Sequence, residues 1–187
     1  MGGLSLSGSY NVMTDENTPS EVLTWYLQLT DRNQFKPVPF FQEKARIELL
    51  SGDNADGDVN RWFYEHVGES WQWTDRADWT QEQWDDYVGA QKITTGVGYL
   101  AQDEIGYFEL QQQNDGNDVE LVYFGLLPES VGQGLGAGLL TAAVEAAWAL
   151  NPKRVWVHTC SLDHPHAFRN YQGRGFELYQ TVSEKLT

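Results

Sequence analysis

The segment VGQGLGAGLL, from Val131 to Leu140, carries four glycines within seven residues and leads straight into the alanine-rich stretch TAAVEAAWAL. It follows VELVYFGLLP (Val119–Pro128), which has the continuous apolar character of a buried strand that a proline ends. Glycine lets a backbone approach a ligand closely, and the first N–H groups of a helix have no intrahelical partner. The helix dipole makes these groups favour an anion. The order strand, glycine turn, helix therefore predicts a phosphate or pyrophosphate site.

Two common phosphate loops match this segment poorly. A Walker loop ends in Gly-Lys-Ser or Gly-Lys-Thr, whereas Gly138 is followed by Leu139. A dinucleotide-binding fingerprint could open at Gly132 and Gly134 with Ala137 in its last position, which is a permitted variant. That unit also needs an acidic residue at the end of its next strand, and the stretch RVWVHTC has none there. A Rossmann-type nucleotide-binding enzyme therefore stays an alternative.

The composition indicates one folded domain. The chain has 187 residues, of which 41% are hydrophobic and 13% aromatic, more apolar content than a disordered chain carries. No apolar run approaches the length of a membrane span, and residues 1–20 have neither a secretory signal nor periodicity, so we expect a flexible tail there. The single cysteine, Cys160, excludes an internal disulfide and fits a reducing cytoplasm. We therefore expect a cytoplasmic protein with no membrane partner.

The charge is unevenly distributed along the chain. The formal net charge is −15, and residues 118–187 account for only −2 of it, with seven acidic and five basic side chains. A nucleic-acid-binding protein needs a basic face, and none is visible. The acidic N-terminal part could attract a cationic substrate, or it could reflect solubility or a salt-adapted source.

Periodicity and capping signals predict a mixed α/β chain. Thr80 and Gln83 form a capping-box signature at the start of one helix, and Asp58 is a candidate cap for another. The predicted strands are Glu21–Leu29, Lys44–Leu50, Thr95–Ala101, Ile105–Gln113, Val119–Pro128, Arg154–Cys160 and a last strand from Phe176. The predicted helices are Val59–Val67, Gln81–Val88, Gly136–Leu150 and a short helix within HPHAFRNYQGRG.

Two motifs in the second half of the chain resemble one known family. Gln133, Gly136 and Gly138 satisfy Q/R-x-x-G-x-G/A, which is similar to the acyl-CoA-binding motif of the GNAT superfamily of N-acetyltransferases. After the next strand comes a helix with Ala167, then Tyr171 four residues later, then Gly-Phe. The order and spacing agree from about residue 95 to residue 180. The resemblance implies a single-domain α/β (α+β) fold whose mixed central sheet splays at the cofactor-binding strand, with helices on both faces.

The resemblance also implies where acetyl-CoA binds. Within one domain spanning residues 21–187, residues 118–187 would form the acetyl-CoA-binding core and residues 21–117 the acceptor side. The pantetheine arm would pair with the backbone of the splayed strand, and the pyrophosphate would lie on backbone N–H groups of the glycine loop. The implied cofactor-binding residues are Phe124, Leu126, Leu127, Gln133, Gly134, Leu135, Gly136, Ala137, Gly138, His164, Ala167 and Tyr171.

Two of these positions depart from the family's pattern. Gln133 stands where the family more often has arginine, so a fixed positive charge near the pyrophosphate is lost, and Arg169 or Arg174 could replace it in part. His164 stands where members often have asparagine, although histidine can also form a hydrogen bond to the cofactor arm.

The implied reaction is direct acyl transfer to a neutral amine, which needs a base and an acid. An amine of high pKa is protonated near neutrality and must lose a proton before it attacks. By position, Tyr171 would protonate the leaving thiolate and Glu120 would be the base, directly or through water. Glu109 on the adjacent strand is a second candidate. A carboxylate needs a raised pKa, or a water, to serve as a base near pH 7.

The acceptor side is less clearly defined by the sequence. Its tryptophans could form an aromatic wall for a cationic amine or could simply pack in the core, and we name Glu109, Trp73 and Arg76 as candidate substrate contacts. We expect His158, on an apolar strand, to be a satisfied core histidine. His164, His166 and Cys160 do not match zinc-ligand spacing, so no metal is expected. The tryptophans in question are Trp62, Trp71, Trp73, Trp79 and Trp84.

These observations predict a cytoplasmic acetyl-CoA-dependent N-acetyltransferase that acts on a small-molecule or protein amine as a monomer or homodimer. The alternative is a non-catalytic module of the same fold that binds acyl-CoA or another partner. The acceptor and the length of the acyl group stay open at this point.

Overall fold

The computed structural model describes residues 21–71, 73–90 and 92–185, so the predicted tail lies outside the described residues. All the predicted strands and helices are present, with ends that agree to within about two residues. The strands are β1 (Glu21–Leu29), β2 (Ala45–Ser51), β3 (Ile93–Leu100), β4 (Asp103–Gln113), β5 (Asp118–Leu126), β6 (Arg154–Cys160) and β7 (Glu177–Lys185). The helices are α1 (Gly57–Gly68), α2 (Gln81–Ala90), α3 (Gly136–Ala149) and α4 (Ala167–Gly173).

The seven strands form one mixed sheet in the order β2-β3-β4-β5-β6-β1-β7. Strands β2 to β5 make an antiparallel meander, and β5 pairs in parallel with β6. The first strand, β1, lies between β6 and β7 and is antiparallel to both, so that Thr24 pairs with Cys160 and Glu21 pairs with Lys185. One side of this open sheet is therefore built by pairing β1 with strands more than a hundred residues later in the sequence.

The sheet splits between β5 and β6, as the fold prediction requires. Parallel pairing covers only Asp118–Leu121 of β5, opposite Arg154–Val157 of β6. Strand β5 nevertheless stays paired with β4 up to Leu126. The register with β4 shifts at this point and leaves Val122 as an extra residue on β5, which is a β-bulge. Because a bulge bends its strand, β5 turns away from β6 directly after their last pair.

Helices cover both faces of the sheet, as predicted. Helix α3 packs on one face, where Leu139, Leu140 and Val144 meet apolar side chains of β4, β5 and β6 in a common core. Leu139 and Leu140 are fully buried, and each such side chain contributes about 1.5–3 kcal/mol to the free energy of folding. Helices α1 and α2 cover β3, β4 and β5 on the other face, around a second core that includes Phe63 and Trp84.

The starts of α1 and α2 follow from local hydrogen bonds. Thr80 donates its N–H to the Gln83 side chain at 2.8 Å and its hydroxyl accepts the Gln83 N–H at 3.3 Å, which confirms the capping box. Helix α1 is capped by Asp56 and not by Asp58, because the Asp56 carboxylate accepts the N–H of Asp58 at 2.9 Å. Among the described residues, no helix combines the length and apolar character needed to cross a bilayer.

Candidate active site

A half-open cleft of about 1050 Å³ lies between the diverging strands β5 and β6. One end is formed by the glycine loop and α4, and the other by the segment between α1 and α2. Of the twelve residues that the family resemblance assigns to the cofactor, eight line the cleft. They are Phe124, Leu126, Gly134, Gly136, Ala137, His164, Ala167 and Tyr171.

The glycine loop has the backbone geometry of an anion cradle. Gly132 and Gly134 have φ angles of +82° and +74°, in the left-handed region that favours glycine. Helix α3 begins at Gly136 and its N-cap residue, Leu135, supplies no side-chain hydrogen bond. The first N–H groups of α3 are therefore without a side-chain cap at the end of the helix that favours negative charge. These groups suit a pyrophosphate.

Two residues of the loop motif have other contacts. A Cβ on Gly138 would lie 2.5 Å from the ring of Phe40, so this glycine makes room for an aromatic side chain of the β1–β2 connection. The Gln133 side chain turns back and donates to the carbonyl oxygen of Glu129 at 2.7 Å. Neither residue lines the cleft. The motif at these positions stabilises the loop and its packing.

The bulged strand β5 presents backbone groups to the cleft. Leu127 donates its N–H to the carbonyl oxygen of Ile105 at 3.0 Å and its side chain is buried, so that residue is directed toward β4. Antiparallel pairing alternates along a strand. Phe124 and Leu126 are therefore directed toward the opening, where β6 no longer pairs with them. The backbone of these two residues is free for an extended ligand, and that of Leu127 is not.

Tyr171 projects from α4 into the cleft. Its ring packs against Phe124 and Phe176, with centroids 6.2 and 6.0 Å away. Within the described residues its hydroxyl makes no hydrogen bond. Burial, with a smaller effect from Asp163, raises the pKa of Tyr171 well above the ordinary tyrosine value. The hydroxyl is thus protonated at neutral pH and available as a donor.

Glu120 and His158 form a pair at the point where β5 and β6 separate. The Nδ1 atom of His158 lies 3.3 Å from a carboxylate oxygen of Glu120, and Gln113 donates to the other oxygen at 2.6 Å. Glu120 is largely buried and does not line the cleft, whereas His158 does. The hydrogen bond that Glu120 accepts from His158 raises the pKa of His158. Glu120 therefore reaches the cleft through His158.

The position of His158 corrects the expectation of a core histidine. Its side chain is 44% exposed. Val155 and Val157 of the same strand are buried under α3, but Trp156 and His158 point to the opposite face, which α1 and α2 do not cover at β6. The apolar run in β6 suggested burial on both sides. Arg154 and His158, which share this face of β6 with Trp156, were the signal that could have revealed the open face.

The loop after β6 supplies a carboxylate and an imidazole. The carboxylate of Asp163 accepts hydrogen bonds from the Thr159 hydroxyl at 2.6 Å and the Cys160 N–H at 2.8 Å, and it lines the cleft. His164 accepts the N–H of His166 on its Nδ1 atom and meets the ring of Trp71 edge-on at 4.9 Å. Burial lowers the pKa of His164, which favours the neutral ring.

The segment between α1 and α2, which the family resemblance assigns to the acceptor side, forms part of the cleft wall. Trp73, Asp75 and Arg76 all line it. The Arg76 guanidinium lies over the rings of Trp79, Trp84, Tyr87 and Tyr123 at 3.9–5.6 Å. The side chain of Asp75 is 61% exposed, and that of Arg76 is 11% exposed. Asp75 was not singled out in the sequence, because an acidic residue in a polar segment carries no distinctive pattern.

Glu109 is fully buried beneath α1 and α2 and does not line the cleft. It accepts a hydrogen bond from the Tyr87 hydroxyl at 2.9 Å, and Arg76 lies 3.6 Å from the same oxygen. Burial raises the pKa of Glu109 to about 7, although the Arg76 charge opposes the shift. The buried carboxyl can contact Arg76 but has no path to a substrate in the cleft.

The aromatic wall consists of two of the five tryptophans considered. Trp71 and Trp73 line the cleft. Trp84 is almost fully buried in the second core, Trp79 packs against it, and Trp62 stacks on His66 at the surface. Among the described residues, no group of three or more potential metal ligands is close enough to hold an ion.

Comparison with known proteins identifies the family. The model of the acetyltransferase (GNAT) family matches residues 58–176, well over half of the chain. The chain belongs to the GNAT acetyltransferase family. The family match includes the glycine loop, the splayed strand and Tyr171, which are the parts of the GNAT domain that line the cleft. No curated protein has a significant sequence match to this GNAT chain.

Solved structures show the same GNAT fold. A GCN5-related N-acetyltransferase from Sphaerobacter thermophilus is 14% identical with a TM-score of 0.67, over 89% of this chain and 52% of that protein. One from Kribbella flavida is 17% identical with a TM-score of 0.61, over 86% and 56%. An aminoglycoside acetyltransferase from an uncultured soil metagenomic sample, in complex with trehalose, is 14% identical with a TM-score of 0.58, over 72% and 90%.

The lengths of these proteins differ from that of the GNAT chain. The chain covers 52–60% of the length of the first four structures that it matches. It matches nearly the whole of the aminoglycoside acetyltransferase. At these identities the likeness concerns the fold.

Proposed function

We propose that this GNAT chain is a cytoplasmic acetyl-CoA-dependent N-acetyltransferase that acetylates a primary amine. The observation that carries the proposal is the composition of one continuous cleft. The glycine loop with the uncapped start of α3, Tyr171 and His158 all line it, and Glu120 contacts His158 from behind. An anion cradle, a proton donor and a proton acceptor are the groups that transfer from a CoA thioester to an amine requires.

The residues of the cleft fit acetyl-CoA. The backbone of Phe124 and Leu126 would pair with the pantetheine arm, and the N–H groups from Gly134 to Ala137 would hold the pyrophosphate. Arg169 lines the same end and would add a positive charge that Gln133 does not supply. When bound, acetyl-CoA supplies an activated acetyl group.

Two side chains perform the proton transfers in this proposal. His158 in its neutral form takes a proton from the acceptor ammonium, directly or through water. Glu120 holds the ring by the contact to Nδ1 and stabilises the imidazolium that forms. Tyr171 presents a protonated hydroxyl on the cofactor side of the cleft. Glu120 is thus a positioning residue. His158 takes the role of the base, which the family resemblance assigned to Glu120.

The acceptor side favours a cationic substrate. Asp75 and Asp163 place two carboxylates on the cleft wall, and Trp71 and Trp73 place two aromatic rings there. Carboxylates and aromatic faces both attract an ammonium group. The occurrence of an aminoglycoside acetyltransferase among proteins of this fold supports an amine acceptor. The strongly acidic first part of the chain acts in the same direction.

A non-catalytic acyl-CoA-binding module is the second candidate. That reading would be favoured if Tyr171 and Glu120 both pointed away from the cofactor channel. Tyr171 lines the cleft, and Glu120 contacts a histidine that lines it. The arrangement of side chains therefore supports the enzyme.

The test is a free-thiol release assay with acetyl-CoA and a panel of primary amines, run beside Tyr171→Phe and His158→Asn. Turnover that either substitution weakens supports the enzyme. If acetyl-CoA binds in calorimetry and no amine in a broad panel is acetylated, the module is favoured. Absence of acetyl-CoA binding at high micromolar concentration would overturn both.

A further inference from the structure

Asp75 differs from the other charged residues of the acceptor side because tyrosine hydroxyls fix both of its carboxylate oxygens. Tyr64 donates to Oδ1 at 3.1 Å, and Tyr123 donates to Oδ2. Burial raises the pKa of Tyr64 to about 12, so this donor is protonated at neutral pH. The side chain is nevertheless 61% exposed and lines the cleft. A carboxylate held in this way keeps acceptor positions directed toward a ligand without losing side-chain freedom on binding.

Aromatic rings surround this carboxylate. Trp73 lines the cleft and packs against Tyr64 and Tyr123, with ring centroids 5.8 and 4.8 Å away. A cation at the carboxylate would therefore also lie near aromatic faces. The combination of one carboxylate with several rings is a common way to bind an ammonium group.

The charges near Asp75 do not cancel. Arg76 lies 3.8 Å from Asp75, but its guanidinium is enclosed by rings and also faces Glu109 at 3.6 Å. Near pH 7 Glu109 is partly ionised, because its pKa is about 7, so Arg76 faces one full and one partial negative charge. Because Glu109 and most of Arg76 are buried, the charge that faces the cleft is that of Asp75. The negative charge of Asp75 is therefore open to a ligand.

Asp75 shares the cleft with the proposed base. His158 lines the same opening, and Asp75 contributes to the electrostatic potential at its ring. A molecule that is long enough to contact both residues would therefore place one amine at His158 and another part of its structure at Asp75. We propose that Asp75 is a subsite for a second, non-reacting ammonium group, and that the acceptors are di- or polyamines. This inference rests on the proposed acetyltransferase function.

The test compares linear α,ω-diamines with n-alkylamines of the same chain length. Binding is measured by calorimetry with the protein saturated with CoA, so that no turnover is needed, and acetylation is measured separately. We expect the best diamine to bind about tenfold more tightly than its matched monoamine, a difference of about 1.4 kcal/mol. In Asp75→Asn that ratio should fall to about one, because diamine binding should weaken far more than monoamine binding.

Asp78→Asn is the matched control, because Asp78 is an exposed carboxylate of the same segment that does not line the cleft. It removes the same charge and should leave the ratio intact. Tyr64→Phe removes one hydroxyl from Asp75 and should reduce the ratio in part. Thermal melting of each variant separates a folding defect from a local loss.

Three results would overturn the subsite. They are equal binding of both amine classes to the unmodified chain, an unchanged ratio in Asp75→Asn, and an equal reduction of the ratio in Asp78→Asn. An Asp75→Asn variant that loses monoamine turnover as fully as diamine turnover would make Asp75 part of the proton transfer instead. Selective diamine binding without any acetylation would support the subsite and reject the proposed enzyme.

Discussion

The Nδ1 atom of His158 lies 3.3 Å from the Glu120 carboxylate, one residue beyond the last parallel pair that joins β5 to β6. The two strands separate directly after this contact. The bulge at Val122 that opens the cleft therefore also exposes the imidazole of His158, at the point where the two strands separate. In the proposed function, the proton acceptor and the entrance for the acyl donor therefore depend on the same local distortion of the sheet.

The pH dependence of turnover should report this contact. Since the Glu120 hydrogen bond raises the pKa of His158, and since the neutral ring is the form that accepts a proton, kcat/KM should rise with pH through a pKa above the ordinary histidine value. Glu120→Gln removes the main cause of the pKa shift, so the rise of kcat/KM should move to lower pH. His158→Asn should reduce kcat by about a hundredfold.

Measuring kcat/KM against pH for the same amine in both proteins isolates this effect, because the pKa of the amine is common to them. If kcat/KM rises at the same pH in Glu120→Gln, then the amine substrate, and not His158, controls the pH profile.

Tyr171→Phe should lower kcat by about a hundredfold, the usual contribution of a general acid. The ring contacts with Phe124 and Phe176 do not need the hydroxyl, so cofactor affinity should be nearly unchanged. Thiol release gives kcat, and calorimetry with CoA gives the affinity. Unchanged kcat would assign the proton transfer to another donor or to water.

Gly134→Ala and Gly138→Ala should fail in different ways. Gly134 has a φ of +74° with open space around it, so alanine there costs about 1–2 kcal/mol of backbone strain that an exposed loop can relieve by changing conformation. Cofactor affinity should then fall by about tenfold with little change in Tm.

At Gly138 the added methyl group meets the Phe40 ring, so Tm should fall while the affinity of the folded protein is retained. Calorimetry and thermal melting of both variants give the comparison. The same loss of affinity in Gly138→Ala would place that residue in the cofactor site.

Glu109 should make stability depend on pH. Its pKa rises from 4.5 in its ordinary environment to about 7 in the folded chain. In this window the folded state binds more protons than the unfolded state, so the free energy of unfolding should fall as the pH rises. The loss over the window is on the order of 3 kcal/mol.

Chemical denaturation across this window, in the unmodified chain and in Glu109→Gln, measures the effect. The slope with pH is the relevant quantity, because the substitution also removes the partner of Arg76. Identical slopes in the two proteins would show that other groups account for the dependence.

The sequence predicted the positions of the strands and helices well, but it did not predict which strands pair with each other. Local periodicity locates β1 and β6, and the capping box locates the start of α2, because these signals depend on residues close together in the chain. Nothing in β1 specifies that it pairs with β6 and β7 rather than with β2. That choice depends on packing between segments more than a hundred residues apart.

The candidate site shows the same limit. The glycine loop and Tyr171 were found because their motifs follow one another in order along the chain. The contact between Glu120 and His158 joins two strands in space, and the bulge that exposes it appears only in the register. Gly138 matches the motif, but in the structure it makes room for the ring of Phe40. Phe40 lies in the β1–β2 connection, whose sequence has no periodic pattern that would have predicted this contact.

The position of β1 also bears on how the GNAT chain acquires its cleft during synthesis. Strand β6, which carries His158, has β1 as its outer neighbour, and β1 in turn needs β7 on its other side. The ribosome makes β1 more than a hundred residues before its partners β6 and β7. Such long-range pairing slows folding because segments far apart in the sequence must meet before the contacts form. The β6 wall of the cleft is therefore among the last parts to assemble, and acetyl-CoA binding should report that all seven strands have paired.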